Sequence, residues 1–481
     1  MNRSGSRSAL AAIAVSGVIA LLASGCGARW TDDQQAEVEA RQQGQLTGSE
    51  GSGPAAGITP GDASGPTGTV AGDGGISSGS TDGTAGTGGG GTTGGSGGTG
   101  GATGASSVGG ALPCAAHSSE KGVTDDAITV GELSSLSGPV PGLGASAATA
   151  VRAYVAYRNS IGGVCGRKVV LKEADDATDS SVYRKTLGQL EPSVLAITGG
   201  FAVGDVGGRD LIAPANLPII NSPTGTTGQL PQVFDINPSY PRPDMLIGKY
   251  KYLYANGARK VAMTYIGVDQ SRLEAGIQRH LMEAAGLKVV STEELPVATL
   301  SYDSAARKAA NSGADYLWFT ADTNGSASMA KAVQDTGYHW KFKELSYTTY
   351  GTKFIQLAGG SAEGVTSWLR SLPTEEASTN AAMKRYVEWM DRASPGMAQD
   401  LFSIDSWVST QAFFEALEKL PGPITRAAVI RQLASIHTYD AGGMFAPIDL
   451  GRDLSKGCFM GMIVKNGKWT RLAPAGGGYL C

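Results

Sequence analysis

The sequence predicts an α/β protein made of two doubly wound lobes. Three observations carry that expectation. A strand-type run at 128–133 passes through a loop of Ser, Gly and Pro into a helical period. Two successive series of alternating strand and helix patterns then follow, separated by a Pro-rich stretch at 237–243. Ahead of both lies a long Gly-rich segment with nothing to build a core from. Two βα series joined by a crossover are the pattern of two parallel sheets with helices on their faces.

The opening unit sets the scheme. Residues 128–133 are a short apolar run rich in β-branched side chains. Residues 134–144 are small enough to let a ligand approach the backbone. Ala147, Val151, Tyr154 and Val155 then fall on one helical face, with Ser146 as the expected N-cap. In a parallel sheet, a loop at the carboxyl end of a strand is where ligands bind. Further strands are expected at 168–173, 194–198, 218–221 and 233–236, the second running into Asp175-Asp176 and the third into the 199–205 loop.

The second series begins after the Pro-rich crossover. Leu246, Tyr250, Leu253 and Tyr254 mark a helix face closed near Gly257, and 260–265 is a strand. Leu273, Ile277 and Leu281 line a helix ending at Gly286, a C′ glycine. Strands at 288–293, 316–320 and 345–347 alternate with helices at 303–312 and 326–336. Residues 378–433 read as mainly helical, and strands at 444–450, 459–464 and 468–472 close the chain.

Composition bounds the function. A net charge of −4 leaves no basic footprint for nucleic acid. Residues 27–112 form an expected disordered tether of Gly, Ser and Thr, which cannot offset the entropy of ordering it. As a flexible coil it would average about 50 Å end to end. Its glycines do not cradle phosphate, because no Lys-Ser/Thr and no strand–helix context accompanies them. The four histidines, His117, His280, His339 and His437, stand far apart without metal-ligand spacing. No G-x-S-x-G stands between a strand and a helix as a nucleophile elbow would, and no H-E-x-x-H occurs, so neither an enzyme nor a metal or other cofactor is expected. Among the tryptophans, Trp318 lies inside an apolar strand and is expected in the core.

The N-terminus reads as an export signal: Arg3 and Arg7, an apolar core at 9–23, then Ala23-Ser24-Gly25-Cys26. It resembles a bacterial lipoprotein signal, which implies cleavage after residue 25, acylation of Cys26 and attachment to the outer face of the cytoplasmic membrane. In an exported chain the other four cysteines suggest two disulfides with three possible connectivities. Nearness in sequence favours Cys114–Cys165 and Cys458–Cys481.

From about 123 to 474 the order of segments resembles the type 1 periplasmic solute-binding proteins of branched-chain amino acid ABC transporters. The segments are 128–144 with its GPxxxxG loop, Gly162-Gly163 to Val169, Ala174 to Asp179, Leu217 to Pro223, Ala284 to Val290 and Ser361 to Val365. The resemblance implies lobe one at 123–240 and 373–443, lobe two at 241–372 and 444–481, and a multi-crossover hinge between them. It implies a monomer that holds a small solute (an amino acid, an amide or a related organic acid) in the interlobe cleft and hands it to an ABC permease. A ligand-sensing lipoprotein of the cell envelope is the alternative use of the same fold.

Carried over position by position, the resemblance places ligand contacts in lobe one at Ser137 and Leu143, at Phe201, Ala202 and Val203, and at Thr224, Gly225, Thr226 and Thr227. In lobe two it places them at Asp269 and Gln270, at Asp322, and at Tyr347 and Tyr350. The family's second-lobe carboxylate for an ammonium has no match in 346–350, so Asp269 or Asp322 would have to substitute, and either could equally be a helix N-cap. Tyr347 and Tyr350 are the candidates for stacking on a ligand, or else pack the loop.

Overall fold

A computed structural model of the chain describes residues 112–139, 141–224, 227–236, 247–297, 299–451 and 457–481. The export signal, Cys26 and all of the tether except Leu112 lie outside them, as do Gly225, Thr226 and the Pro-rich crossover at 237–243.

The chain enters its first sheet through β1 (Ala127–Ser134), α1 (Ala145–Ser160), β2 (Lys168–Asp175), α2 (Ser180–Leu190), β3 (Ile197–Thr198), α3 (Arg209–Ile212), β4 (Ile219–Asn221) and β5 (Val233–Asp235). All pairings are parallel and the order is β2-β1-β3-β4-β5. The strand order reverses between β1 and β3, and the crevice of such a sheet opens at that point.

The second sheet receives α4 (Ile247–Ala255), β6 (Lys260–Ile266), α5 (Asp269–Ala284), β7 (Lys288–Leu295), α6 (Asp303–Asn311), β8 (Tyr316–Thr320), α7 (Thr323–Asp335), β9 (Phe342–Leu345), α8 (Thr352–Ala358) and β10 (Val365–Leu369). The chain then returns to the first sheet with α9 (Ala381–Ala393), α10 (Leu401–Glu418) and α11 (Arg426–Ala434). It finishes in the second sheet with β11 (Met460–Lys465) and β12 (Lys468–Ala473). The order there is β12-β11-β10-β9-β8-β6-β7, parallel except for the two antiparallel pairings of β11. Its parallel part repeats the first sheet's order, with the reversal between β6 and β8. The fold is thus two doubly wound lobes crossed three times by the chain.

The returning helices explain the composition of α1. One apolar face was expected, yet Ala147, Ala148, Ala150, Val151, Ala153, Tyr154 and Val155 are all buried. The sheet takes one side and α10 the other, with Tyr154 4.8 Å edge-on from Trp407 and 6.0 Å from Phe414. A run of alanines lets two helices and a sheet approach closely. Arg426 fastens α11 beneath the same sheet: fully sequestered, it donates to the carbonyls of Glu191, Val194 and Leu195 and to the Glu191 carboxylate at 2.6 Å.

Both expected disulfides are formed. Cys114–Cys165 ties the start of the folded part to the end of the first βα unit, and Cys458–Cys481 pins the terminal tail. Arg167 reinforces the first, donating to the carbonyls of Cys114, Ala116 and Thr124.

Some expectations need correction. Gly144, not Ser146, occupies the N-cap of α1, without a side-chain cap. A Cβ there would sit 2.7 Å from the Phe201 carbonyl, so close packing excludes a capping side chain. The expected strand at 345–347 ends at Leu345, because Ser346 adopts φ 84° and turns Tyr347–Thr349 into a 3₁₀ turn. Residues 444–450 form no strand among the described residues, only bridges to Ser371 and Tyr439. β10 was not expected at all.

Candidate functional site

Four loops at the tips of the first sheet are knitted together by buried carboxylates. Asp176 accepts from Ser135 Oγ at 2.7 Å, from the Thr178 N–H and from the Gly204 N–H at 2.8 Å. The Val203 N–H donates to Ser135 Oγ in turn. Asp205 accepts from Thr224 Oγ1 at 2.6 Å, from Thr227 Oγ1 at 3.2 Å and from the Thr224 N–H at 2.7 Å. Ser134 Oγ donates to Glu132, and the Phe201 N–H to Ser134 Oγ. Gly200, at φ +80°, passes so close to β1 that a Cβ would meet the Leu133 carbonyl at 2.3 Å.

Burial dominates the electrostatics of this knot. It pushes the Glu132 carboxyl up to about 8 and the Asp205 carboxyl to about 7, with hydrogen bonds from Ser134 and from Thr224 and Thr227 pulling back. Glu132 therefore keeps its proton near neutrality, Asp205 gives its proton up around that pH, and both act as braces between the loops.

The tips of the second sheet are tied in the same manner. Thr348 Oγ1 donates to the Ala321 carbonyl at 2.9 Å and Thr323 Oγ1 to the Thr348 carbonyl at 3.1 Å. Behind them runs a buried polar chain. Lys249 Nζ lies 2.8 Å from Glu344, Tyr316 Oη donates to Glu344 at 2.6 Å, Tyr250 Oη donates to Gln278, and Gln278 donates to Glu274 at 2.7 Å.

The two sets of tips meet at Phe402, the second residue of α10. Its ring lies 4.3 Å from that of Phe201 in lobe one and 6.3 Å from that of Tyr347 in lobe two. Asp400 holds α10 in place through a capping box with Ser403, while accepting from Ser146 Oγ at 2.8 Å. Tyr347 is 39 % exposed, and its phenol is pushed up by loss of solvation, then by the charges of Glu274 and Asp405. Burial likewise raises Glu274, one turn into α5. The arrangement offers an aromatic trio and a lobe-two carboxylate. That can hold a solute with an apolar body.

The sequence-derived positions distribute as follows. Phe201, Ala202, Val203 and Thr224 stand at the tips of lobe one, as do Leu143 and Ser137, although the Ser137 hydroxyl is given to Asp175. Thr227 is buried and bonded to Asp205. Asp322 caps α7, accepting from the N–H groups of Asn324 and Gly325. Asp269 and Gln270 are the first residues of α5, and their side chains lie outside the described part. Tyr350 is 2 % exposed and spends its hydroxyl on Thr374 and Glu375. Phe402 and Glu274 were missed. The only signal for Phe402 was its place just inside a capped helix, and nothing local says which cleft that helix faces. Among the described residues no His, Cys, Asp and Glu group is disposed to hold a metal ion. A groove of about 620 Å³ between α6 and α7 is lined mainly by their C-terminal ends, away from the strand tips.

Residues 127–460 match the family model described as periplasmic binding protein. A curated relative, the "Leu/Ile/Val-binding protein homolog 7" of Brucella abortus, is 22% identical over 369 residues, covering 72% of this chain and 91% of that one. Among solved structures, a fatty acid ABC transporter substrate-binding protein from Thermomonospora curvata aligns with TM-score 0.62 at 20% identity, covering 73% of this chain and 93% of that one. A branched-chain amino acid transporter substrate-binding protein from Streptococcus pneumoniae, in complex with isoleucine, aligns with TM-score 0.60 at 17% identity, covering 73% and 100%. At these identities the structures speak for the fold alone.

Proposed function

The chain belongs to the periplasmic binding protein family, and on that premise we propose that it captures a small solute between its lobes for uptake by an ABC permease. The lobes are 123–240 with 373–443 and 241–372 with 444–481. The chain is a monomer, anchored by acylated Cys26 to the outer face of the cytoplasmic membrane, with residues 27–112 as its tether. The solute is an amino acid, an amide or a related organic acid with an apolar body. Phe201, Phe402 and Tyr347 enclose that body.

The observation that carries this reading is the contact of Phe402 with an aromatic ring from each set of strand tips. Glu274 is the lobe-two carboxylate that an ammonium would meet. Its charge already reaches Tyr347, and its neighbour Gln278 donates to one oxygen only.

The test is a melting-temperature screen of the purified protein against leucine, isoleucine, their amides, aromatic acids and medium-chain fatty acids. One chemical class should raise the melting temperature, by mass action about 2.7 kcal/mol at a hundredfold excess over Kd. A panel without any shift would overturn the proposal.

A further inference from the structure

The second passage between lobes starts at Arg370, directly after β10. Its carbonyl accepts from the Ala446 N–H at 2.6 Å, and the Leu372 N–H donates to the Met444 carbonyl at 2.8 Å, so two crossing segments pair antiparallel there. The side chain is 2 % exposed, with the guanidinium 5.7 Å from the Phe445 ring and 6.0 Å from the Phe459 ring. Among the described residues, none of Nε, Nη1 and Nη2 has a hydrogen-bond partner. The other buried arginines among the described residues differ: Arg158, Arg167 and Arg426 each donate to carbonyls or carboxylates, although Arg158 Nε has no partner. A buried guanidinium without hydrogen bonds is costly, and a conformation that supplies them is strongly favoured.

The charges of three ionisable groups reach it. Asp405 comes from α10 and Asp235 from the end of β5, both in lobe one, and Tyr479 from the terminal tail. Each acid has further interactions of its own. Asp405 also touches the cleft: Ser222 Oγ, first in the loop after β4, donates to it at 3.0 Å, and its charge reaches Tyr347 in lobe two. Asp405 thus stands between the hinge cation and the strand tips.

We propose that Arg370 is a positioning residue for solute capture, whose guanidinium takes Asp405 as a hydrogen-bonded partner in a second arrangement of the lobes and not in the one described. The pair then biases opening and closing, and Ser222 carries the change to the cleft. Only the consequence for affinity rests on the solute-binding reading, because the lobe equilibrium exists without solute.

The experiment uses the full chain with Cys26→Ser and spin labels at Val206→Cys and Val268→Cys, exposed positions after β3 and after β6. Double electron–electron resonance without solute should show two interlobe distances. Arg370→Met should shift their ratio about tenfold or more toward one, as expected for loss of a charge-assisted hydrogen bond. Its melting temperature should stay level or rise. Asp405→Asn should produce the same distribution, the double variant no further shift, and Arg370→Lys partial recovery of the second distance. An unchanged distribution in both single variants, or effects that simply add, would overturn the proposal, and Asp405→Asn with Arg370→Lys decides it if Arg370→Met fails to fold. If the distances shift while no solute binds, the hinge role stands and the uptake reading falls. If the wild type and Arg370→Met bind a solute equally and the distances stay fixed, the uptake reading stands and the hinge role falls.

Discussion

Replacing Asp205 by Asn should make the pH dependence of stability flatter by an amount set by one buried carboxyl. Asp205 is 1 % exposed and burial lifts it to about 7, from an unfolded value near 3.8. Between those two values the folded chain holds a proton that the unfolded chain has released, so stability falls as pH rises. The slope from this group is about 1.4 kcal/mol per pH unit. Its favourable state is fully present below the unfolded pKa and lost as pH passes through about 7. Integrated from pH 5 to pH 8, the wild type should lose about 2–3 kcal/mol relative to Asp205→Asn. Other groups, Glu132 among them, cancel in the difference. Asn keeps one carbonyl for the Thr224 N–H, and its amide can donate to the threonine hydroxyls, so the loops remain tied. Urea unfolding of both proteins at four pH values measures the quantity. Parallel stability curves would refute the idea that the knot is held by a protonated acid.

Further outcomes follow from the same structure. Removing Cys114–Cys165, which closes 51 residues, should cost about 4 kcal/mol, and removing Cys458–Cys481, which closes 23, about 3, read by denaturant unfolding of the double-Ala variants. Lys249→Met should cost about 3–5 kcal/mol by leaving Glu344 buried without its cation, and adding Glu344→Met should restore most of it. Phe402→Ala should weaken solute affinity about tenfold or more by calorimetry, while the melting temperature moves by only a few degrees.

What could be read from the sequence depended on whether the signal was local. The strand at Tyr316–Thr320 announces itself because all five residues are buried and apolar or β-branched. The glycines that end α5, α6 and α7 mark those helices for the same reason: Gly286, Gly313 and Gly337 all take positive φ. The β10 segment Val-Thr-Ser-Trp-Leu was invisible, since Thr366 and Ser367 interrupt its apolar run although all five are buried. Ser346 hid a turn inside an apparent strand, because a positive φ at a serine is imposed by the packing of its loop. At the site, loop positions were legible but the direction of side chains was not. Thr224 and Thr227 look like donors for an anion, yet Asp205 claims both hydroxyls. Tyr350 looks like a ligand platform but packs 5.8 Å from Trp469. Phe402 reaches the cleft only because a helix some 200 residues downstream of Phe201 returns to lobe one, a tertiary fact with no local trace.

Native mass spectrometry of the purified chain bears most directly on capture of a solute between the lobes. One small molecule per chain should be retained from the panel of amino acids, amides and organic acids, and Phe402→Ala with Tyr347→Ala should lose it while keeping the charge-state distribution of a folded protein. A wild-type chain that retains none of them, or a double variant that retains the same one unchanged, would contradict the assignment of the cleft.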